Sequence, residues 1–530
     1  MLFTSYRFLA FIFLVFVLYY VIPKRYQWQL LLAASYVFYA FAGLDCVAFI
    51  AVTTVSTYVI SLRIGRLNQI QTAYLAEHKG QISREEKKSY KASIKQRQRR
   101  WLILCLVINI GILAVLKYTN FAIYNVNSVF RLIGRETELS FVSLALPMGI
   151  SFYTFQTMGY IIDVHRGKVE PEQNLGKLAL FVSFFPQLVQ GPISRFDELT
   201  ETLFQSHAFD MKTVTFGLER ILWGYFKKMV IADRILVAVN AIIHDTETYQ
   251  GAFVFVGMMF YALELYADFT GGIDITIGIA EVMGIKVQEN FMRPYFSKSI
   301  AEYWRRWHIS MGRWFTDYIF YPLSVSKPMI NLSKSARARL GDSIGKRVPV
   351  YIATTVVWFT TGLWHGASWN FIVWGLMNCL VIMVSQECIP LYRRFHGRFH
   401  LEHNRIYQGF QVIRTLLLMS ALRMFDCYRD VPLTFRMFGN MVTRFDGRIF
   451  LDGSLMTLGL SAADYGVLTV GVILLLTVSL KGRRGSVREQ LLAQPAALRY
   501  GMVYGLFLMV LVLGAYGVGY DSSQFIYNQF

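Results

Sequence analysis

Residues 360–375 read TTGLWHGASWNFIVWG, which sets His365 between two apolar stretches with Trp364, Trp369, Asn370 and Trp374 around it. What the histidine means depends on what those stretches cross. If the flanks lie in lipid, an ionisable side chain at that depth is costly unless it is paired or wet, and is a functional-site hypothesis by default. The plain alternative is a neutral, hydrogen-bonded structural imidazole.

Working outward, the whole chain favours lipid. Its 530 residues are 55% hydrophobic, 16% aromatic and only 16% charged, well outside ordinary soluble usage. Apolar runs suited to a core about 30 Å thick recur along it. They fall at 8–22, 29–42, 47–62, 101–116, 144–162, 178–189, 216–243, 253–283, 350–363, 371–383, 412–422, 465–480 and 500–518. Several are short or carry polar residues, so some re-enter or stay buried in the bundle, and roughly ten to twelve crossings are expected. An all-α polytopic membrane protein follows, with residues 1–530 forming one membrane domain. The first run has no small-x-small cleavage site and reads as a span rather than a signal peptide.

Charge is distributed as a membrane protein distributes it. The formal net charge is +19, but the cations cluster in loops near 63–100, 293–347, 391–405 and 481–499. Basic loops beside apolar spans follow the positive-inside rule, so they are read as cytoplasmic anchors touching anionic lipid, not as a nucleic-acid surface. The run REEKKSYKASIKQRQRR at 84–100 reads as a solvated helix leading into the span at Trp101. Five cysteines show no C-x-x-C pair, and H-E-x-x-H, P-loop, G-x-G-x-x-G and G-x-S-x-G motifs are absent, so no metal site, disulfide framework or familiar soluble catalytic motif is indicated.

Polar residues at membrane depth therefore carry the chemistry. In SIAEYWRRWHISMGRWFTDYIFYPL (299–323), Trp304, Trp307, Met311 and Trp314 recur at helical spacing, with Arg305, Arg306, His308, Arg313 and Asp317 supplying charge. Alone, this is an amphipathic interfacial anchor. YALELYADFTGGIDITIG (261–278) places Glu264, Asp268 and Asp274 in an apolar segment whose glycine pair can break or bend it. FFPQLVQGPISRFDEL (184–199) reads as an irregular, re-entrant turn. Either could line a channel, a transporter pathway or an enzyme tunnel.

These blocks, in this order, resemble the membrane-bound O-acyltransferase (MBOAT) superfamily, in its bacterial alginate O-acetylase-like branch. The resemblance covers nearly the whole chain. It is carried by LPMGISFYTFQTMGYIIDVHRGK (146–168), FFPQLVQGPISRF (184–196), GYFKKMVIADR (224–234) and DFTGGIDITIGIAEVMGI (268–285). Further matches are NFMRPYFSKSIAEYWRRWHISMGRWFTDYIFYPL (290–323), GLWHGASWNFIVWG (362–375) and the terminal QFIYNQF (524–530). The sequence departs from the pattern at Thr270, Gly272 and Ile273 in the D-F-S-G-Y-S-D-type block, and at Ser324 and Val325, where glycines are common. A W-V-F-F-R-A-type block is represented only loosely by LRMFDCYRD (422–430).

The resemblance implies a helical ring around a tunnel that pierces the membrane, with His365 catalytic and His308 as the second functional histidine. It implies an acyl donor arriving from the cytoplasm, acetyl-CoA or an acyl carrier protein, with no tightly bound cofactor and no metal. The acyl group would pass to an extracytoplasmic polysaccharide, with an SGNH-type acyltransferase as partner, in the bacterial inner membrane. It also implies that Tyr527, in the aromatic tail 522–530, carries the acyl group transiently. An aryl ester on a phenol of pKa about 10 lies between a thioester and a sugar ester in activation.

Chemically, acyl transfer needs a base and an oxyanion donor. Histidine, with an ordinary pKa of about 6.5, suits the first role. Asn370, Trp369 and backbone N–H groups are candidates for the second by sequence proximity. Trp304, Arg305, Arg306, Asp317, Asp268 and Asn370 are expected at the substrate site. Arg305, Arg306 and Arg313 suit either the anionic groups of an acyl carrier or lipid headgroups. The rival readings are D-alanyl transfer to teichoic acid and, in another class, a transporter or flippase for lipid-linked glycan.

Overall fold

The structure, a computed structural model, describes residues 3–135, 137–144, 146–401 and 403–516, with Asp45 described in its backbone alone. Tyr527 and the aromatic tail lie outside these residues. Among the described residues every regular element is helical, and the chain divides into two compact units, Met1–Val214 with Ala280–Val287 and Thr215–Ile279 with Gln288–Phe530.

The first unit is built on α1 (Tyr6–Val21), α2 (Gln27–Ala40), α3 (Leu44–Glu77), α4 (Arg84–Leu132), α5 (Ile150–Arg166), α6 (Leu175–Ser183), α7 (Phe185–Gln190) and α8 (Phe196–Leu203). The basic run at 84–100 is the exposed start of α4, continuous with the apolar stretch after it. Ser83 and Glu86 close a capping box at its head, with Glu86 N–H donating to Ser83 Oγ at 3.1 Å and Ser83 N–H to Glu86 at 2.8 Å. Deeper in α4, Asn109 donates to Thr57 Oγ1 of α3 at 3.2 Å. A buried polar side chain satisfied across two helices fixes their register. The run at 178–189 is no single span: α6 ends at Ser183, Pro186 opens α7, and the segment through Ser194 is buried.

The second unit continues with α9 (Met211–Tyr225), most of which lies in this unit, a π-helical stretch Phe226–Ala232, α10 (Asp233–His244) and α11 (Ala252–Val282). Of the two outcomes open for the glycine pair, a break or a bend, the break does not occur, because α11 runs through Gly271 and Gly272. The glycines serve close approach instead. A Cβ on Gly278 would stand 2.7 Å from the Gly217 carbonyl oxygen, and one on Gly224 2.6 Å from that of Gly271. The π-stretch carries Lys227 and Lys228 to the buried acids of α11. Lys228 lies 2.6 Å from Asp268 and 2.8 Å from Asp233, and Lys227 lies 2.5 Å from Asp274. Its widened turn also leaves the Met229 carbonyl to accept from Ala515 N–H at 2.7 Å.

After α11 come α12 (Ile300–Arg306), α13 (Ile309–Phe315), a second π-stretch Thr316–Phe320, α14 (Tyr321–Ser324) and α15 (Lys327–Gly345). They are followed by α16 (Val348–His365), α17 (Trp369–Glu387), α18 (Ile389–Phe399), α19 (Arg405–Tyr428), α20 (Val431–Thr443), α21 (Ala462–Lys481), α22 (Val487–Leu492) and α23 (Ala496–Leu513). Among the described residues six helices, α3, α4, α11, α17, α21 and α23, are long and apolar enough to cross a membrane by length and composition, where ten to twelve crossings are expected from the sequence.

Candidate functional site

The histidine of the opening stretch sits where one helix stops and the next begins. His365 is the last residue of α16, and Gly366 continues in extended backbone. A Cβ on Gly366 would meet the Phe371 ring at 2.1 Å, so glycine is what lets α17 start so close. Gly362 and Gly375 then bring the two helices together: added Cβ atoms would stand 2.4 Å from the Phe371 carbonyl oxygen and 2.4 Å from that of Trp358. The approach sets the Trp374 ring 4.8 Å from the His365 imidazole, while Trp364 lies 5.0 Å from it. His365 is 7% exposed within this shell.

His308 arrives from a different segment. The expected continuous amphipathic helix over 299–323 is broken at this residue, which takes left-handed backbone (φ 48°) between α12 and α13. Trp307, Met311 and Trp314 are buried, so the segment is core rather than interfacial anchor. The Asn290 Oδ1 atom accepts from Ser310 N–H and Ser310 Oγ at 3.0 Å each, and lies 3.3 Å from His308 Nδ1. That oxygen is an acceptor, so His308 Nδ1 carries the proton and donates to it, which leaves the lone pair on Nε2. Burial, with the positive charge of Arg423 added, pushes the His308 imidazole down to about 3. Its ring lies 5.0 Å from Phe269 and 5.9 Å from Trp364. One indole, that of Trp364, thus contacts both imidazoles.

The other expected residues fall into two groups. Trp304 belongs to the shell, 5.8 Å from Trp374. Asn370 ties the start of α17 to α19, donating to the Phe425 carbonyl oxygen at 3.1 Å and pairing with Ser368, which engages its amide in structure. Asp268 is fully buried against Lys228. Arg305 is exposed, Arg306 pairs with Glu302 at 2.5 Å, Arg313 donates to Gln288 at 2.6 Å, and Asp317 is half-buried in the second π-stretch.

Sequence reasoning missed Arg423. It is 4% exposed on α19, with its guanidinium carbon 4.9, 5.0 and 5.7 Å from the Trp374, Trp307 and Trp304 ring centres. Nη1 reaches Asp426 at 3.4 Å. An arginine inside the apolar run LLLMSALRMF was the available signal.

Fold and site together define a polytopic, all-helical membrane protein with two histidines gathered into one buried aromatic shell. The chain belongs to the membrane-bound O-acyltransferase family. The profile described as MBOAT, membrane-bound O-acyltransferase family, matches residues 172–337 and 338–428. "Probable alginate O-acetylase AlgI" of Azotobacter vinelandii is 35% identical over 358 residues, 68% of this chain and 63% of that protein. The Pseudomonas putida protein of the same name is 33% identical, covering 70% of this chain and 67% of its own length. "Peptidoglycan O-acetyltransferase" of Helicobacter pylori is 29% identical, covering 69% and 66%. The match to the Azotobacter relative thus spans a little under two thirds of that protein.

Proposed function

We propose that this protein is an O-acyltransferase of the inner membrane that takes acetyl from a cytoplasmic thioester, acetyl-CoA or an acyl carrier protein, and passes it to hydroxyls of an extracytoplasmic polysaccharide. The observation that carries the reading is the buried shell in which Trp364 contacts both His365 and His308. Acetyl is favoured over D-alanyl because the relatives quoted above are named for acetylation of polymers.

In this reading His365 takes the proton of the attacking hydroxyl and returns it to the departing thiolate, while the indole shell excludes water that would hydrolyse the donor. His308, neutral and held by Asn290, positions the acceptor or donates no charge of its own to the site. Tyr527 serves as the transient acyl acceptor, and an SGNH-type acyltransferase takes the group onward. The test uses membrane vesicles carrying the full-length chain and that partner, supplied with radiolabelled acetyl-CoA on the cytoplasmic face. Label reaching polymer on the opposite face, and falling to background in Tyr527→Phe, is expected. Label that stays on the donor side in the wild type would sink the reading, and polymer acetylation that survives Tyr527→Phe would remove the tyrosine from it.

A further inference from the structure

Arg423 leaves a specific edge unfilled. A guanidinium offers five N–H groups in a planar fork, and Nε–H with Nη2–H forms the side that takes two oxygens at once. In this protein Nη1 faces Asp426 at 3.4 Å, whereas Nε and Nη2 are buried without an acceptor among the described residues. The Tyr303 phenol is close enough to interact with the same guanidinium, while Nε and Nη2 themselves have no partner in hydrogen-bonding geometry among the described residues. A buried cation with orphaned donors costs more than a neutral orphan, so the fork is built for an oxygen that the resting protein does not supply. Its place narrows what that oxygen is. Trp374 touches both the Arg423 guanidinium, at 4.9 Å, and the His365 imidazole, at 4.8 Å. Trp304 and Trp307 also lie against the cation, at 5.7 and 5.0 Å, and the side chain is 4% exposed.

We propose that the Nε–H and Nη2–H edge of Arg423 is the oxyanion donor of acyl transfer; the inference rests on the acyl-transfer reading above. The acceptor oxygen bonds to the acyl carbon while its proton passes to His365, and the carbonyl π pair moves onto the carbonyl oxygen. The two oxygens then on one carbon have the spacing of a carboxylate, the geometry the fork receives. When the pair returns, the carbon–sulfur bond breaks and the thiolate leaves with the proton from the imidazolium. Asn370, which the sequence offered for this role, has its amide engaged with Phe425 and Ser368.

An anionic oxygen could also be a phosphate of the donor, and steady-state kinetics separate the two. The full-length protein in membranes is assayed with radiolabelled acetyl-CoA, and the folded fraction is counted by gel filtration. Arg423→Gln and Arg423→Lys are expected to lower kcat by about 100-fold or more, since one oxyanion donor has that worth. The KM for acetyl-CoA stays within about threefold. A raised KM at unchanged kcat would put the fork on a donor phosphate and overturn the proposal, as would a kcat near that of the wild type. Asp426→Asn supplies the second arm, because it leaves the open edge intact. Retained kcat supports the oxyanion role even if both Arg423 variants fail to fold, whereas loss in folded Asp426→Asn makes the pair merely structural and overturns it. If the wild type itself transfers no acetyl, the acyl-transfer reading fails first, and that outcome is distinct from an Arg423 variant that works.

Discussion

At the scale of single residues, His308 is held as a neutral imidazole. His308 is pushed down to about 3 by burial and by Arg423, so it stays neutral throughout the range in which a membrane enzyme works. In the unfolded chain the same group titrates at about 6.5. Between those values the unfolded state holds the extra proton, so stability rises with pH through the window and is lost as pH falls below about 6.5. We expect the thermal midpoint of the wild type to drop between about pH 7 and pH 4, and to drop less in His308→Asn, read by scanning fluorimetry. Asparagine is chosen because it tolerates the left-handed backbone of position 308. Parallel slopes in the two proteins would exclude His308 as the source. The setting of His365, an imidazole among tryptophans in an apolar run, marked it as a candidate and left a structural role open, which the family resemblance alone tipped toward catalysis. Arg423 was not legible in this way, because its significance lies in what its fork fails to meet, and a sequence records residues rather than vacant donors.

At the scale of elements, the site depends on helices that approach more closely than side chains normally allow. Gly362 on α16 and Gly375 on α17 each leave room for a carbonyl of the opposite helix. Gly362→Val is therefore expected to cost about 1–3 kcal/mol through overpacking, and to lower activity by moving Trp374 away from His365. Gly409 in α19 is the control, since nothing lies within 4 Å of its Cβ position. Gly409→Ala should be neutral or stabilising by up to about 1 kcal/mol. Equal thermal midpoints for the two variants would refute the packing account. Periodicity read the elements unevenly. The basic head of α4 and its continuation into an apolar helix followed from composition, and the structure adds the Ser83–Glu86 capping box at its start. The break at His308 did not follow, because Trp304, Trp307, Met311 and Trp314 keep helical spacing across it. What breaks the helix is a left-handed residue tied to Asn290, a partner 18 positions earlier in the chain.

At the scale of the whole molecule, composition was enough for a polytopic helical membrane protein, but apolar runs and helices did not correspond one to one. A run such as 178–189 looks like a span until Pro186 divides it, and 216–243 hides a π-stretch whose lysines pair with Asp268 and Asp274 of α11. Two of the three acids that suited a transport pathway in the sequence, Asp268 and Asp274, are partners of Lys228 and Lys227 in the fold. In the proposed function the chemistry falls to the aromatic shell and its two imidazoles, in a chain that belongs to the membrane-bound O-acyltransferase family. The most direct measurement is acetyl transfer from radiolabelled acetyl-CoA by the wild type and by His365→Ala at equal folded amounts. Loss of a general base predicts a rate at least about 100-fold lower with the gel-filtration profile unchanged, whereas a folded His365→Ala that transfers acetyl at the wild-type rate would contradict the account.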